Sequence, residues 1–221
     1  MQPDLELVYE RLYEWLGPRR WWPAETPFEV VVGAILTQNV TWRNVEKAIA
    51  NLRAAGLLDP VAMHRISEEE LQPLIRPAGY FRLKARKLKA FCEFLFSRYG
   101  GSLERMSEEP LETLRPALLG VYGVGPETAD DILCYAAGKP IMVMDAYTRR
   151  VFSRLGLITP DAGYADMQEF FMSRLPWNTQ LLNEHHALID GLANRLCLKS
   201  EPRCGECPLL ALCPHGGRTE G

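Results

Sequence analysis

No stretch of this 221-residue chain is apolar for the ~20 residues that a membrane-spanning helix needs, so no such helix and no membrane partner are expected. The opening residues, Met1-Gln2-Pro3-Asp4-Leu5-Glu6, lack the basic and apolar segments of a secretory signal. The expectation is a cytoplasmic protein, nucleoid-associated in a prokaryotic cell, and in that compartment structural disulfides are rare. Net charge is small: 25 Lys and Arg against 28 Asp and Glu give −3, which supplies no bulk attraction to nucleic acid. A polyanionic partner would have to be met by local patches. Strand signals are scarce too, with no Asn-Gly hairpin, no run of alternating β-branched residues and no internal repeat. Only Ile141-Met142-Val143-Met144 is strand-like, and it ends in an acid. Because 47% of the residues are hydrophobic, a disordered chain is excluded and a sizeable core can be buried.

What is present is helical punctuation. Pro27-Phe28-Glu29-Val30 opens an apolar run through Leu36, which continues toward Ile49 in helix-compatible residues. Leu88, Phe91, Cys92 and Leu95 repeat at the spacing of one helix face. Ser67-Glu68-Glu69-Glu70 and Ser107-Glu108-Glu109-Pro110 read as helix starts, each a capping residue followed by acids that suit the first turn. These signs predict an all-α fold of about ten helices, with a fraying tail from Gly216 to Gly221.

Two features stand out against the mildly acidic average. Between Arg76 and Lys89 there are six basic residues and no acidic one: Arg76, Arg82, Lys84, Arg86, Lys87 and Lys89. They form either a solvated helix face or a stripe that neutralises phosphates. Of six cysteines, Cys92 and Cys134 sit in apolar surroundings as small core residues, while Cys197, Cys204, Cys207 and Cys213 fall close together in the pattern C-x6-C-x2-C-x5-C. Four thiols so clustered in a cytoplasmic chain read as a metal site. Zinc is the alternative to an iron–sulfur cluster, but a four-cysteine zinc site more often has two short C-x₂₋₄-C pairs, and only one is present.

The segment Leu118-Leu119-Gly120-Val121-Tyr122-Gly123-Val124-Gly125-Pro126-Glu127-Thr128-Ala129 reads as the hairpin of a helix-hairpin-helix. Glycines there admit backbone geometry closed to other residues and let the main chain approach a ligand. The helix that follows offers unpaired N–H groups and the positive end of a dipole, which suit a phosphate oxygen and read no base sequence. Beyond it the apolar run 141–144 delivers one carboxylate, Asp145, readable as a helix N-cap, as a catalytic group, or as both.

Hairpin, intervening helix, apolar run and Asp145, joined to the four-cysteine spacing, resemble the helix-hairpin-helix/Gly-Pro-Asp superfamily of base-excision DNA glycosylases, in its endonuclease III branch. The resemblance runs from about Trp21 to Cys213. It implies two helical lobes, a six-helix barrel over 23–138 that contains the hairpin and a second lobe formed by 1–22 and 139–221, with the DNA and the flipped base in the cleft between. It further implies a [4Fe–4S] cluster on Cys197, Cys204, Cys207 and Cys213, ordering a loop whose Lys199 and Arg203 face DNA phosphates. Gly123 and Gly125 would grip the backbone, and Gln38 would fill the gap left by the flipped nucleotide. The partner is double-stranded DNA with a damaged base, acted on by a monomer.

The implied chemistry is coherent. Breaking an N-glycosidic bond spreads positive charge over the sugar, and a carboxylate such as Asp145, close to C1′ in a partly dry site, stabilises that charge and orients the attacking water. Strand-cleaving members carry a lysine in the second hairpin helix, where its amine forms an imine with the sugar. Here that position is Glu127, so a monofunctional glycosylase is expected. Trp21-Trp22-Pro23, Leu36-Thr37-Gln38-Asn39, Arg76-Pro77-Ala78-Gly79-Tyr80 and Glu127 resemble the 3-methyladenine DNA glycosylase III subgroup more narrowly. Carried over, Trp21, Trp22, Pro23 and Trp42 would sandwich the base with Glu127 at its edge, and a cationic alkylated purine over a Trp face gains roughly 0.5–2 kcal/mol. The four cluster cysteines depart from that subgroup. A uracil or mismatch glycosylase, a bifunctional endonuclease III-type glycosylase/lyase and a non-catalytic damage sensor are the alternatives.

Overall fold

In the computed structural model, which describes residues 4–19 and 21–218, the chain is helical and no strand occurs among the described residues. The backbone divides into two compact units: a middle unit, Trp22–Lys139, and a terminal unit made of Met1–Trp21 and Pro140–Gly221. Twelve α-helices lie among the described residues, numbered along the chain. The terminal unit holds α1 (Leu5–Leu16), α10 (Ala146–Arg154), α11 (Tyr164–Met172) and α12 (Thr179–Arg195). The middle unit holds α2 (Pro27–Leu36), α3 (Trp42–Ala54), α4 (Pro60–Arg65), α5 (Glu68–Leu74), α6 (Phe81–Tyr99), α7 (Leu103–Glu108), α8 (Leu111–Leu119) and α9 (Pro126–Asp131).

The middle unit is built around α2. Thr26 caps it by accepting from the Glu29 amide, Pro27 takes the first helical position, and Phe28 to Leu36 are all buried. A helix apolar on every side has to be central. Its one acid, Glu29, is buried but ion-paired to Arg53 of α3 at 2.6 Å. The helix ends at Leu36 rather than running on toward Ile49: the 37–41 segment turns, Asn39 takes a positive φ of 56°, and α3 starts afresh. On α6 the face Leu88, Phe91, Cys92 and Leu95 is buried as its spacing predicts, and Ser67 and Glu70 close a reciprocal capping box at the start of α5. The reading of Ser107 as a helix start fails. Ser102 caps α7, Ser107 lies in its last turn, and α8 is entered through Pro110.

The core of the terminal unit is formed by α1, α10, α11 and α12, with Val8, Leu12, Phe152, Phe171, Leu188 and Leu192 among its buried side chains. The strand-like run Ile141–Met144 is extended and wholly buried, but it pairs with no strand. Side chains satisfy its backbone instead: Gln168 donates to the Met142 carbonyl at 2.9 Å, and the Met144 amide donates to the Tyr164 hydroxyl at 3.4 Å. The run anchors the residue that follows it. Gly216–Arg218 form a 3₁₀ turn rather than a frayed end, and the rest of the expected tail, 219–221, lies outside the described residues.

Candidate functional site

That residue is Asp145, the N-cap of α10. Its Oδ1 accepts from the Thr148 amide at 2.7 Å, while Oδ2 lies 3.7 Å from Nε2 of His186 on α12. Only 16% of the Asp145 side chain is exposed. Burial by itself would push this carboxyl up, but His186 and then Thr148 outweigh it and hold it below its ordinary value. A buried, ionised carboxylate at the mouth of a helix is therefore at hand in the terminal unit.

The hairpin in the middle unit joins α8 to α9. Gly123 has φ +80°, and an added Cβ would collide with the Lys87 side chain, so both backbone and space require glycine there. Gly125 differs. It is the N-cap of α9, extended and exposed, with nothing within 4 Å of the place a Cβ would take. Glu127 is exposed in the first turn of α9, where an acid suits the positive dipole end. Gln38 is tied to this hairpin: its Nε2 donates to the Gly123 carbonyl at 3.1 Å and to Thr128 Oγ1 at 2.9 Å, while Lys87 donates to its Oε1.

Neither reading of the basic run describes it fully, because its residues separate by type. Arg76, Arg82 and Arg86 are exposed. The three lysines turn toward backbone or the hairpin. Lys84 is buried and donates to the carbonyls of Leu36 at 2.8 Å and Ala78 at 2.7 Å, and Lys89 donates to those of Met63, His64 and Ile66 at the end of α4. Burial, with the nearby Lys87 charge, pushes Lys84 down to about 8. Just beyond Ala78, Tyr80 is 70% exposed with φ +46°, a strained conformation for a non-glycine residue. The sequence carried no signal for either lysine's inward turn.

Of the aromatic residues expected to gather, Trp22 and Trp42 meet edge to face with centroids 5.3 Å apart. Trp22 also lies against Gly33 of α2, where an added Cβ would be 3.2 Å from its ring. The third ring is one that sequence reasoning missed. Tyr135 packs at 5.3 Å from Trp22 from a π-helical turn, Ile132–Ala136, that continues α9. Pro23 is exposed, and Trp21 belongs to the terminal unit, where it lines a groove with Tyr9, Tyr13, Asn178 and Glu184.

Cys197, Cys204, Cys207 and Cys213 line one small cavity together with Leu196, Pro202 and Leu210. Gly216 closes it, and a Cβ there would meet Leu210 at 2.7 Å. Burial pushes the Cys207 thiol up to about 11; the Leu209 amide pulls it back, and the three other thiols push it further up. Among the described residues no three His, Cys, Asp or Glu side chains converge as a single metal ion would require. Two arginines one turn apart on α10 hold the loop's entry. Arg150 donates to the carbonyls of Cys197 at 2.8 Å and Ala193 at 3.0 Å, and Arg154 to Cys197 Sγ at 3.2 Å and the Leu198 carbonyl at 2.7 Å. Lys199 and Arg203 are exposed on that loop. Cys92 and Cys134 are buried elsewhere, and burial pushes both thiols up to about 12.

Residues 32–176 match the family described as HhH-GPD superfamily base excision DNA repair protein, and the chain belongs to that superfamily. At that level it is a DNA glycosylase of base excision repair. A protein of Methanocaldococcus jannaschii named as a DNA repair glycosylase is 45% identical over 208 residues, which are 93% of this chain and 94% of that one. Endonuclease III of Bacillus subtilis is 28% identical over 88% of this chain and 84% of its own. Among solved structures, H. pylori 3-methyladenine DNA glycosylase bound to 1,N6-ethenoadenine superposes with a TM-score of 0.77 at 27% identity, covering 87% of this chain and 98% of that one. A non-covalent endonuclease III–DNA complex superposes with 0.83 at 25% identity, covering 98% and 96%. No helix among the described residues is long and apolar enough to cross a membrane.

Proposed function

We propose that the chain is a monofunctional DNA glycosylase that acts as a monomer on double-stranded DNA, releasing an alkylated purine, 3-methyladenine foremost, and leaving the strand unbroken. The observation that carries this reading is the aromatic trio Trp22, Trp42 and Tyr135, within the same unit as the exposed carboxylate Glu127. Rings in contact offer faces and edges to a cationic base, and a carboxylate adds attraction that a neutral base does not feel. Uracil is neutral and gains neither. The similarity to a 3-methyladenine glycosylase along 98% of that protein's length supports the same substrate class.

Asp145 is the catalytic group. Already ionised and partly dry, it stabilises charge developing on the sugar and orients the water that attacks C1′. The base must leave the stack first. Tyr80, exposed and strained, and Asn39, exposed at a positive φ beside the hairpin-bound Gln38, are the side chains best suited to occupy the vacated space, with Gln38 bracing the turn behind them. Gly123 and Gly125 bring backbone to a phosphate, and Arg76, Arg82, Arg86, Lys199 and Arg203 supply exposed charge for others. Glu127 has no amine, so it forms no imine with the sugar.

The four cysteines fit a [4Fe–4S] cluster. They share one cavity closed by a glycine, and their spacing has one short C-x₂-C pair where a four-cysteine zinc site more often has two. Cys197, Cys204, Cys207 and Cys213 would hold it, and its contribution is to cross-link the loop that carries Lys199 and Arg203.

The test is a panel of duplexes, each with one 3-methyladenine, 7-methylguanine, uracil, thymine glycol, or adenine opposite 8-oxoguanine, assayed for free base and for strand breaks without alkali. Alkylated purines should be released fastest, with intact strands and no borohydride-trapped adduct. Asp145→Asn should abolish release while sparing binding. Efficient strand cleavage by the unmodified protein would defeat the monofunctional reading, and full activity of the Asn variant would defeat the mechanism.

A further inference from the structure

A carboxylate only 16% exposed needs partners to stay charged, and Asp145 has two. Oδ1 is spent on the Thr148 amide as the helix cap. Oδ2 faces His186, whose side chain is only 9% exposed, across 3.7 Å. Across that distance the imidazole pulls the Asp145 carboxyl down, by hydrogen bonding and by charge. One turn further along α12, Asp190 is the i+4 neighbour of His186, and its own carboxyl feels both His186 and Asp145. Another turn on, Asn194 donates to Asp190 Oδ1 at 2.9 Å. His186, Asp190 and Asn194 thus make a polar line at a spacing of four along a helix whose other faces are largely core.

We propose that His186 is the positioning residue for Asp145: its imidazole, on the line of α12 that also carries Asp190, faces Oδ2 and holds the carboxylate in place at the head of α10. This rests on Asp145 being the catalytic carboxylate. The other charged and titratable groups that reach the trio in this unit are Tyr147 and Arg150 on α10, Arg19 after α1, and His185. His185, adjacent in sequence, does not serve. It is fully buried among the rings of Tyr9, Phe152 and Phe171, and burial pushes it down to about 3, so it is neutral. Among the described residues His186 is the one that pairs with Oδ2 and also acts on the Asp190 carboxyl. Its removal leaves burial as the dominant influence on Asp145, and a protonated carboxyl cannot stabilise a sugar cation.

Two measurements test this, and one does not depend on catalysis. Isotope-edited infrared spectroscopy, with Asp145→Asn as the reference, follows the Asp145 carboxyl directly. Its midpoint should lie below 3.8 in the unmodified protein and above 3.8 in both His186→Ala and His186→Gln. Gln keeps the bulk and a donor but not the charge, which covers the case in which Ala fails to fold. By reciprocity of linkage, NMR titration of His186 should give a lower midpoint in Asp145→Asn than in the unmodified protein. Single-turnover excision by the His186 variants should lose its acid limb at a pH higher by about one unit or more. Midpoints that do not move overturn the proposal. If the unmodified protein excises no base while the midpoints move as stated, the pairing stands and the catalytic reading of Asp145 falls.

Discussion

Arg115 of α8 and Asp130 of α9 form a two-pronged ion pair, Nε to Oδ1 at 2.7 Å and the second guanidinium nitrogen to Oδ2 at 3.0 Å, with Asp130 wholly buried. The pair joins the two legs of the hairpin. A planar guanidinium met by both carboxylate oxygens fixes distance and rotation together. Asp130→Ala should therefore lower stability by about 3 kcal/mol, since it strands a partly buried charge. Chemical denaturation measures that loss, and duplex binding measured below the unfolding transition should weaken for damaged and undamaged DNA alike.

The two hairpin glycines should separate cleanly. Gly123→Val has to give up a φ of +80° and push Lys87 aside, so it should unfold at lower denaturant concentration. Gly125→Val places its Cβ in open space and replaces a tolerated N-cap by a poor one, so it should cost about 1 kcal/mol, less than the Gly123 variant. Its binding to any duplex should nonetheless fall, because the methyls occupy the space a phosphate needs. If Gly125→Val lost only lesion binding, the hairpin would be reading the base rather than the backbone.

Much of this architecture was legible in local chemistry. The capping box at Ser67 and Glu70, the all-round apolar α2 and the buried face of α6 are short-range patterns, and short-range patterns survive folding. The [Ser]-Glu-Glu-Pro of 107–110 misled because the same residues that start a helix also tolerate its last turn, and only Ser102 upstream settles the register. Around the candidate site, what stayed hidden was long-range. Nothing near Trp22 in sequence announces Tyr135, 113 positions later by their numbers, and nothing near Asp145 announces His186. Trp21 and Trp22 look like a pair, yet they fall in different units: Trp22 joins Trp42 and Tyr135, and Trp21 lines the groove with Tyr9 and Tyr13. The basic run misled in a different way: counting charge cannot distinguish lysines that cap carbonyls from arginines that face solvent.

Lys84 should leave a signature in the dependence of stability on pH. The folded protein gives up this proton near pH 8, whereas an ordinary lysine holds it to 10.5. Between those values the unfolded chain binds more protons, so the contribution of Lys84 to stability rises with pH across that window and is flat below it. Comparing thermal unfolding of the parent and Lys84→Met from neutral to alkaline pH isolates the effect. The parent's stability should climb relative to the variant's above pH 8, and parallel curves would refute the shift.

The cysteine loop makes its own forecast. Anaerobically purified protein should contain iron and absorb visible light through thiolate-to-iron charge transfer, and Cys207→Ser should bleach it. Arg154→Ala removes a charged donor from Cys197 Sγ and frees the Leu198 carbonyl. A redox titration should then find a lower potential than in the parent, since hydrogen bonds to cluster sulfurs help set it. A colourless protein with stoichiometric zinc would refute the cluster.

The π turn at Ile132–Ala136, closed by the Ala137 amide on the Ile132 carbonyl at 2.9 Å, inserts one residue beyond what a regular helix would use. Each residue of an α-helix advances the side chains by about 100°. The turn therefore works as a phase shifter, setting the azimuth at which Tyr135 leaves the helix. A chain shortened by one residue within 132–134 would relax to an ordinary helix and swing that ring away from Trp22. Every aromatic of the trio would survive such a deletion, and the trio would not.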